Sequence, residues 1–215
     1  MTDMPWQRGV ADRDCSLHYV GQRIALAGAG ESIFREEEPS SLYVKLLSGA
    51  GRLLRYDEEG QRNLIAFVLP GEIAERPLAG RHRFTLEAAS DCSYVLEEEG
   101  VVAPRLETGV ALAGGVDRLA ERGILLSRHH IPSRIAAFLL GIAPRLLPGG
   151  AGLRFPLSQV DMACYLATTP ETICRTLRRF REQGLIEQPA QDRLVIRDEA
   201  GLRRAAGLQR RLLMA

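Results

Sequence analysis

Leu157-Ser-Gln-Val-Asp-Met-Ala-Cys-Tyr-Leu-Ala-Thr-Thr-Pro-Glu-Thr-Ile-Cys-Arg-Thr-Leu-Arg-Arg-Phe-Arg-Glu-Gln-Gly-Leu-Ile186 contains two helix starts in quick succession. Ser158 with Asp161 three residues on is a capping-box variant, because the serine oxygen can accept an otherwise orphaned backbone N–H. After Ala167-Thr168 a second helix is predicted, with Thr169 as its cap and Pro170 at its first position, where a missing N–H costs nothing. Two short helices joined so closely form a helix-turn-helix.

The second helix has two faces. Ile173, Leu177 and Phe180 recur at i, i+4 and i+7 as a buried stripe, while Glu171, Cys174, Arg175, Arg178 and Arg179 fall together on the polar side. A face solvated without purpose usually mixes Lys, Glu and Gln, whereas this one is nearly all arginine. Arginine can pair bidentately with guanine and glutamate can accept from cytosine N4, so the helix carries groups able to read a G·C pair. Downstream, Glu187 to Arg197 reads as two strand-like runs around Gln191-Asp192, a wing hairpin with Arg193 placed to meet a phosphate.

Working outward, charge is uneven. Residues 131–215 carry 13 Arg against 7 Asp/Glu, net +6, and the remaining 15 basic and 20 acidic residues leave the rest at −5. The C-terminal part therefore suits a polyanion. Upstream of it, Ile131 to Leu146 is predicted helical, with Pro132 in the first turn and Pro148-Gly149-Gly150 closing it. Between Pro104 and residue 130, Leu106, Val110, Ala113, Val116, Asp117, Ala120 and Ile124 recur at helical spacing. Gly114-Gly115 in mid-helix costs about 1 kcal/mol per glycine. A close helix–helix dimer seam would offset that cost; the other reading is that the stripe packs on the chain's own β-domain.

Before Pro104 come short runs, Ser41-Leu-Tyr-Val-Lys-Leu-Leu47, Arg52-Leu-Leu-Arg-Tyr56, Asn63-Leu-Ile-Ala-Phe-Val-Leu69, Phe84-Thr-Leu-Glu-Ala88 and Ser93-Tyr-Val-Leu96. Turn residues separate them, which predicts an antiparallel sandwich or barrel. The fold class is thus α+β: an N-terminal β-roll over residues 1–104, a dimerisation helix over 105–130 and a C-terminal winged helix-turn-helix over 131–215. With 215 residues, 46% hydrophobic, a real core is expected.

The 157–186 stretch resembles the helix-turn-helix of the Crp/Fnr superfamily. Leu46-Leu-Ser-Gly49, Gly60-Gln-Arg-Asn and Ala66-Phe-Val-Leu-Pro-Gly71-Glu-Ile73 are similar to that family's β-roll. The resemblance implies a homodimer on double-stranded DNA with inverted-repeat, TTG-like half-sites, and RNA polymerase as a further partner. It places the DNA contacts on Thr169, Glu171, Thr172, Cys174, Arg175, Arg178, Arg179 and Arg193. Arg175 would read the guanine and Glu171 the cytosine; Arg178, Arg179 and Arg193 suit phosphates. Cys174 stands where Fnr-type members have Ser.

The signal is read as redox or a small molecule. For cyclic nucleotide, only Glu75 and Arg81-His82 stand near the expected positions, in a shortened segment, so such binding is not expected. Cys15, Cys92, Cys164 and Cys174 show no CxxC pair or zinc spacing, and no metal site is expected. An iron–sulfur cluster on four thiolates of one chain is not expected either. Haem stays open, since His18, His82, His129 and His130 could each be an axial ligand, though a lone histidine is more often structural. Cys174, near a helix N-terminus among arginines, is a candidate redox switch, with Cys164 as a buried, inert control. Gly28-Ala-Gly30 is a turn and not a dinucleotide fingerprint. No catalytic triad, shared carboxylate pocket or P-loop appears, so no enzyme is expected. The longest apolar run, Ile135 to Ile142, is far shorter than the roughly 20 residues of a membrane span, which points to the cytoplasm. The competing class is a sensing or scaffold protein that binds no DNA and docks its basic helix on an acidic partner.

Overall fold

The structure, a computed structural model, describes residues 18–19, 22–98, 119–146, 153–154, 157–190 and 193–208. The chain divides into two compact units, residues 1–115 and 116–215.

The first unit is built from β1 (His18–Tyr19), β2 (Gln22–Ala27), β3 (Ser32–Phe34), β4 (Leu42–Ser48), β5 (Gly51–Tyr56), β6 (Arg62–Val68), β7 (Thr85–Ala88) and β8 (Cys92–Glu98). They form two antiparallel four-stranded sheets, in the orders β1-β2-β8-β4 and β3-β7-β5-β6. Register places Val44 opposite Leu96, Leu46 opposite Tyr94 and Leu53 opposite both Ala66 and Leu86. Phe34, Val44, Leu46, Leu53, Val68, Leu86 and Tyr94 from the two sheets share one core. Leu46 and Leu86 are fully buried, and each such side chain contributes about 1.5–3 kcal/mol relative to exposure.

Turn chemistry sets how the strands connect. Gly28-Ala29-Gly30 is the turn between β2 and β3. At Ala79-Gly80 both φ values are positive, 51° and 73°, and Leu78 and Arg81 exchange backbone hydrogen bonds at 2.8 and 3.1 Å. That is the geometry a type I′ two-residue turn requires. Between β4 and β5, Gly49 has φ +79°. A Cβ there would lie 2.7 Å from the Cys92 Cβ and closer still to the Asp91 carbonyl oxygen, so only glycine lets this turn sit against the start of β8.

The second unit begins, among described residues, with a helical segment, 119–126. Val110, Ala113 and Val116 of the expected dimer stripe lie outside the described residues. Ala120 and Ile124 lie on the helical segment, where Leu119 is 58% and Ile124 62% exposed. Then follow α1 (Ile131–Leu146), β9 (Leu153–Arg154), α2 (Gln159–Tyr165), α3 (Pro170–Glu182), β10 (Ile186–Ala190), β11 (Arg193–Ile196) and α4 (Glu199–Ala205). The strands form a small sheet in the order β10-β11-β9. α1 packs on α4, and α2 on α3.

Helices α2, α3 and α4 end in the same way. In each, a residue with positive φ follows the cap: Ala167 at 50°, Gly184 at 69° and Gly207 at 68°. Its N–H and the next one turn back to carbonyls of the last turn, as in Thr168 N to Ala163 O at 2.9 Å, Leu185 N to Phe180 O at 2.9 Å and Leu208 N to Arg203 O at 2.9 Å. These are Schellman closures, which satisfy carbonyls a helix end leaves orphaned. Helix α4 is absent from the sequence reading. Asp198 caps it by accepting from Gly201 N at 2.7 Å, and Leu202 is fully buried.

Candidate nucleic-acid interface

The turn between α2 and α3 fixes the direction of α3. Ser158 Oγ accepts from Asp161 N at 3.0 Å and donates to the Asp161 carboxylate at 2.8 Å, so this nearly buried acid is satisfied by its own cap. Thr169 Oγ1 accepts from Thr172 N at 3.2 Å and donates to Thr172 Oγ1 at 2.9 Å. Thr169 is exposed and Thr172 half-buried, and both hydroxyls serve the cap.

Helix α3 then separates its faces as periodicity demands. Ile173, Thr176, Leu177 and Phe180 are buried, while Glu171, Cys174, Arg175, Arg178 and Arg179 are exposed. Arg178 meets Glu182 at 3.7 Å, an i,i+4 pair on the helix flank. In the wing, Ile186 pairs with Ile196, Glu187 with Val195 and Ala190 with Arg193. Arg193 is exposed at the start of β11, next to the tip residues 191–192, which lie outside the described residues. Arg197 Nε donates to Glu187 at 2.6 Å and Arg181 to Gln188 at 3.3 Å, tying the base of the wing across its strands and to α3.

Three arginines missed by the sequence reading hold this unit together. Arg122 Nε donates to Tyr165 O at 3.3 Å, and its guanidinium lies 5.0 Å from the Tyr165 ring centre. Arg134 donates to Leu166 O at 3.3 Å and to Arg128 O at 2.7 Å. Arg128 and Ser133 both donate to Ala206 O. Cations thus sit at the C-terminal ends of α2 and α4, where the helix dipole favours them. No local pattern marks such residues, because their acceptors lie far along the chain.

Cys164 corrects an expectation. It is exposed, not buried, because Asp161, Met162, Tyr165 and Leu166 take the inner face of α2 and turn Val160 and Cys164 outward. Cys174 is also exposed, whereas Cys92 is buried and its thiol is pushed up to about 11, first by burial and then by Asp91.

In the first unit Glu75 and His82 form a buried pair, Nδ1 to Oε1 at 3.0 Å, and Arg83 N donates to the same oxygen at 3.1 Å. The His82 ring stacks on Phe34 with centroids 3.7 Å apart and planes 8° apart. Beside them lies a cleft of about 40 Å³ lined by Phe34, Val44, His82, Tyr94 and Leu96 among others. His129 and His130 are exposed, and the side chain of His18 lies outside the described residues. Among the described residues no group of three or more His, Cys, Asp or Glu is placed to hold a metal, and no helix is long and apolar enough to cross a membrane.

Residues 133–205 match the Crp-like helix-turn-helix domain, and residues 27–98 match the cyclic nucleotide-binding domain. The chain is 31% identical over 181 residues to the nitrogen fixation regulation protein FixK of Bradyrhizobium diazoefficiens, spanning 79% of this chain and 76% of that one. It is 27% identical to the transcriptional activator protein FnrA of Stutzerimonas stutzeri, over 95% of this chain and 88% of that one. The solved structure of FixK2 from Bradyrhizobium japonicum aligns with a TM-score of 0.76 at 27% identity, covering 86% of this chain and 96% of that one. A β-roll of the cyclic-nucleotide-binding type followed by a winged helix-turn-helix defines a DNA-binding transcription regulator. The chain belongs to the Crp/Fnr family.

Proposed function

We propose that the protein acts in the cytoplasm as a homodimer that binds an inverted repeat of TTG-like half-sites, with residues 1–104 as sensor, 105–130 as dimerisation helix and 131–215 as DNA-binding domain. The observation that carries this reading is the exposed face of α3, where Glu171, Cys174, Arg175, Arg178 and Arg179 lie together opposite a buried stripe. Arg175 reads guanine, Glu171 reads cytosine, and Arg178, Arg179 and Arg193 contact phosphates. Thr169 and Thr172 hold the helix start against the backbone. RNA polymerase is the partner of the bound dimer. Arg175→Ala is expected to cost about 1–3 kcal/mol on the repeat and to relax preference at the guanine. Equal loss on every sequence in a binding titration would make Arg175 a phosphate contact instead.

The dimer reading is supported by Leu119, Ala120 and Ile124, which leave apolar surface uncovered on the helical segment 119–126. Ile124→Glu is expected to yield monomers in sedimentation velocity and weak binding, since each half-site then acts alone. A dimer unchanged by this substitution would rule out the seam.

The signal is a redox change or a small molecule. Against a cyclic nucleotide stand the Glu75 carboxylate, already engaged by His82 and Arg83, and a cleft of about 40 Å³, small beside the roughly 300–1,000 Å³ of ligand pockets. For redox, Cys174 is exposed one residue before Arg175. Peroxide would transfer one oxygen to its sulfur, leaving water and placing a polar sulfenic group against the DNA. Mild peroxide is expected to abolish binding, and a thiol reductant to restore it. Cys174→Ser should bind alike before and after treatment, and Cys164→Ser, which removes the other exposed thiol of this unit, should behave as wild type. Peroxide sensitivity that persists in Cys174→Ser would exclude the switch.

A further inference from the structure

Beside the arginine face of α3 runs a groove of about 740 Å³. One wall carries Arg175, Arg178 and Arg179; the other is the turn entering α1, with His129 and His130. Both histidines are exposed. Among the described residues Glu182 is the one acid lining the groove, and it is paired with Arg178 at 3.7 Å. Arg128 and Arg134, which flank the two histidines in sequence, donate to the carbonyls of Ala206 and of Arg128 and Leu166. Two of the side chains lining the groove are imidazoles, beside three guanidiniums.

With both imidazoles neutral the groove holds three guanidiniums and one carboxylate; with both protonated its charge rises by two. Imidazole is the side chain that changes charge between about pH 5 and 8. We infer that His129 and His130 seat a DNA backbone phosphate beside the base-reading face, and that this contact strengthens as they protonate. The inference rests on the DNA-binding reading of α3. A phosphate favours imidazolium, so the DNA-bound state holds its protons to higher pH than the unbound state. Affinity therefore rises as pH falls through the imidazole range and is flat above it.

The test is fluorescence anisotropy of the full chain on a labelled inverted-repeat duplex at pH 7.8 and 5.8, at fixed ionic strength, with a scrambled duplex alongside. Wild type should bind at least about threefold tighter at the lower pH, where imidazole carries its proton. The double variant His129→Gln, His130→Gln should lose that gain. The double variant His129→Lys, His130→Lys should bind tightly at both pH values, its log–log salt slope steeper by about 1 at pH 7.8. His18 and His82 remain in both variants, so a contribution from either would survive the substitutions and is separated by the comparison. An undiminished pH gain in the Gln pair, or no tightening in the Lys pair, overturns the inference. So does a wild type on which inorganic phosphate at about 1 mM, without DNA, produces the same histidine shifts by NMR as the duplex does. Equal wild-type affinity for the repeat and the scrambled duplex, with the pH gain intact, would instead sink base readout and leave the phosphate seat standing.

Discussion

Phe180→Ala is expected to destabilise the 116–215 unit by about 3–5 kcal/mol, as removal of a fully buried aromatic ring does when its surroundings relax only in part. Phe180 has no exposed surface and lies on the α3 face opposite Arg175 and Arg179. Its backbone carbonyl also accepts from Leu185 N in the closure that ends the helix. Loss of the ring therefore loosens the recognition helix at its C-terminal half and the entry to the wing together. Thermal unfolding followed by circular dichroism should show the early loss of a helical transition, and DNA binding should fall with it. A loss under about 1 kcal/mol would mean that Phe180 is not a core residue.

The second large effect lies in the β-roll. Gly49→Ala puts a side chain on a backbone at φ +79°, where an L-residue costs about 1–2 kcal/mol. The added Cβ also meets the Asp91 carbonyl and the Cys92 Cβ, and forced overpacking adds about 1–3 kcal/mol. A total of about 3 kcal/mol is expected, read as a lower denaturant midpoint for the 1–115 unit at unchanged m-value. Gly60→Ala, at φ +75° with open space around its Cβ, is the control and should cost only the conformational part. Equal costs at the two positions would show that the turn does not press on β8.

Much of this architecture is legible along the chain because its causes are local. The caps at Ser158 and Thr169, Pro170 at the first helical position, and the stripe Ile173, Leu177, Phe180 all act within a few residues. The α3 faces can accordingly be counted off the sequence. The β-runs are legible for the same reason, their alternation being set by one buried side per strand. What escapes the sequence is what distant groups decide. Cys164 sits between apolar neighbours and looks buried, yet α2 shows its other side to α3. Arg122, Arg128 and Arg134 look like surface charges until the carbonyls of Tyr165, Leu166 and Ala206 come to them. The Glu75–His82 pair, stacked on Phe34, joins three segments that no short motif spans. Helix α4 did carry a local signal in Asp198-Glu199, a cap followed by an acid in the first turn; only its shortness hid it.

The central claim is that the α3 face reads sequence in a dimer, and one measurement addresses it directly. Purified wild-type chain is titrated onto an inverted-repeat duplex with TTG-like half-sites about one helical turn apart, and onto a scrambled duplex of equal length and composition, at about 0.15 M salt. The account predicts two chains per repeat and an affinity there at least about a thousandfold above that for the scrambled duplex. Equal affinity for both duplexes, or no binding to either with retention on an acidic protein partner, would contradict it.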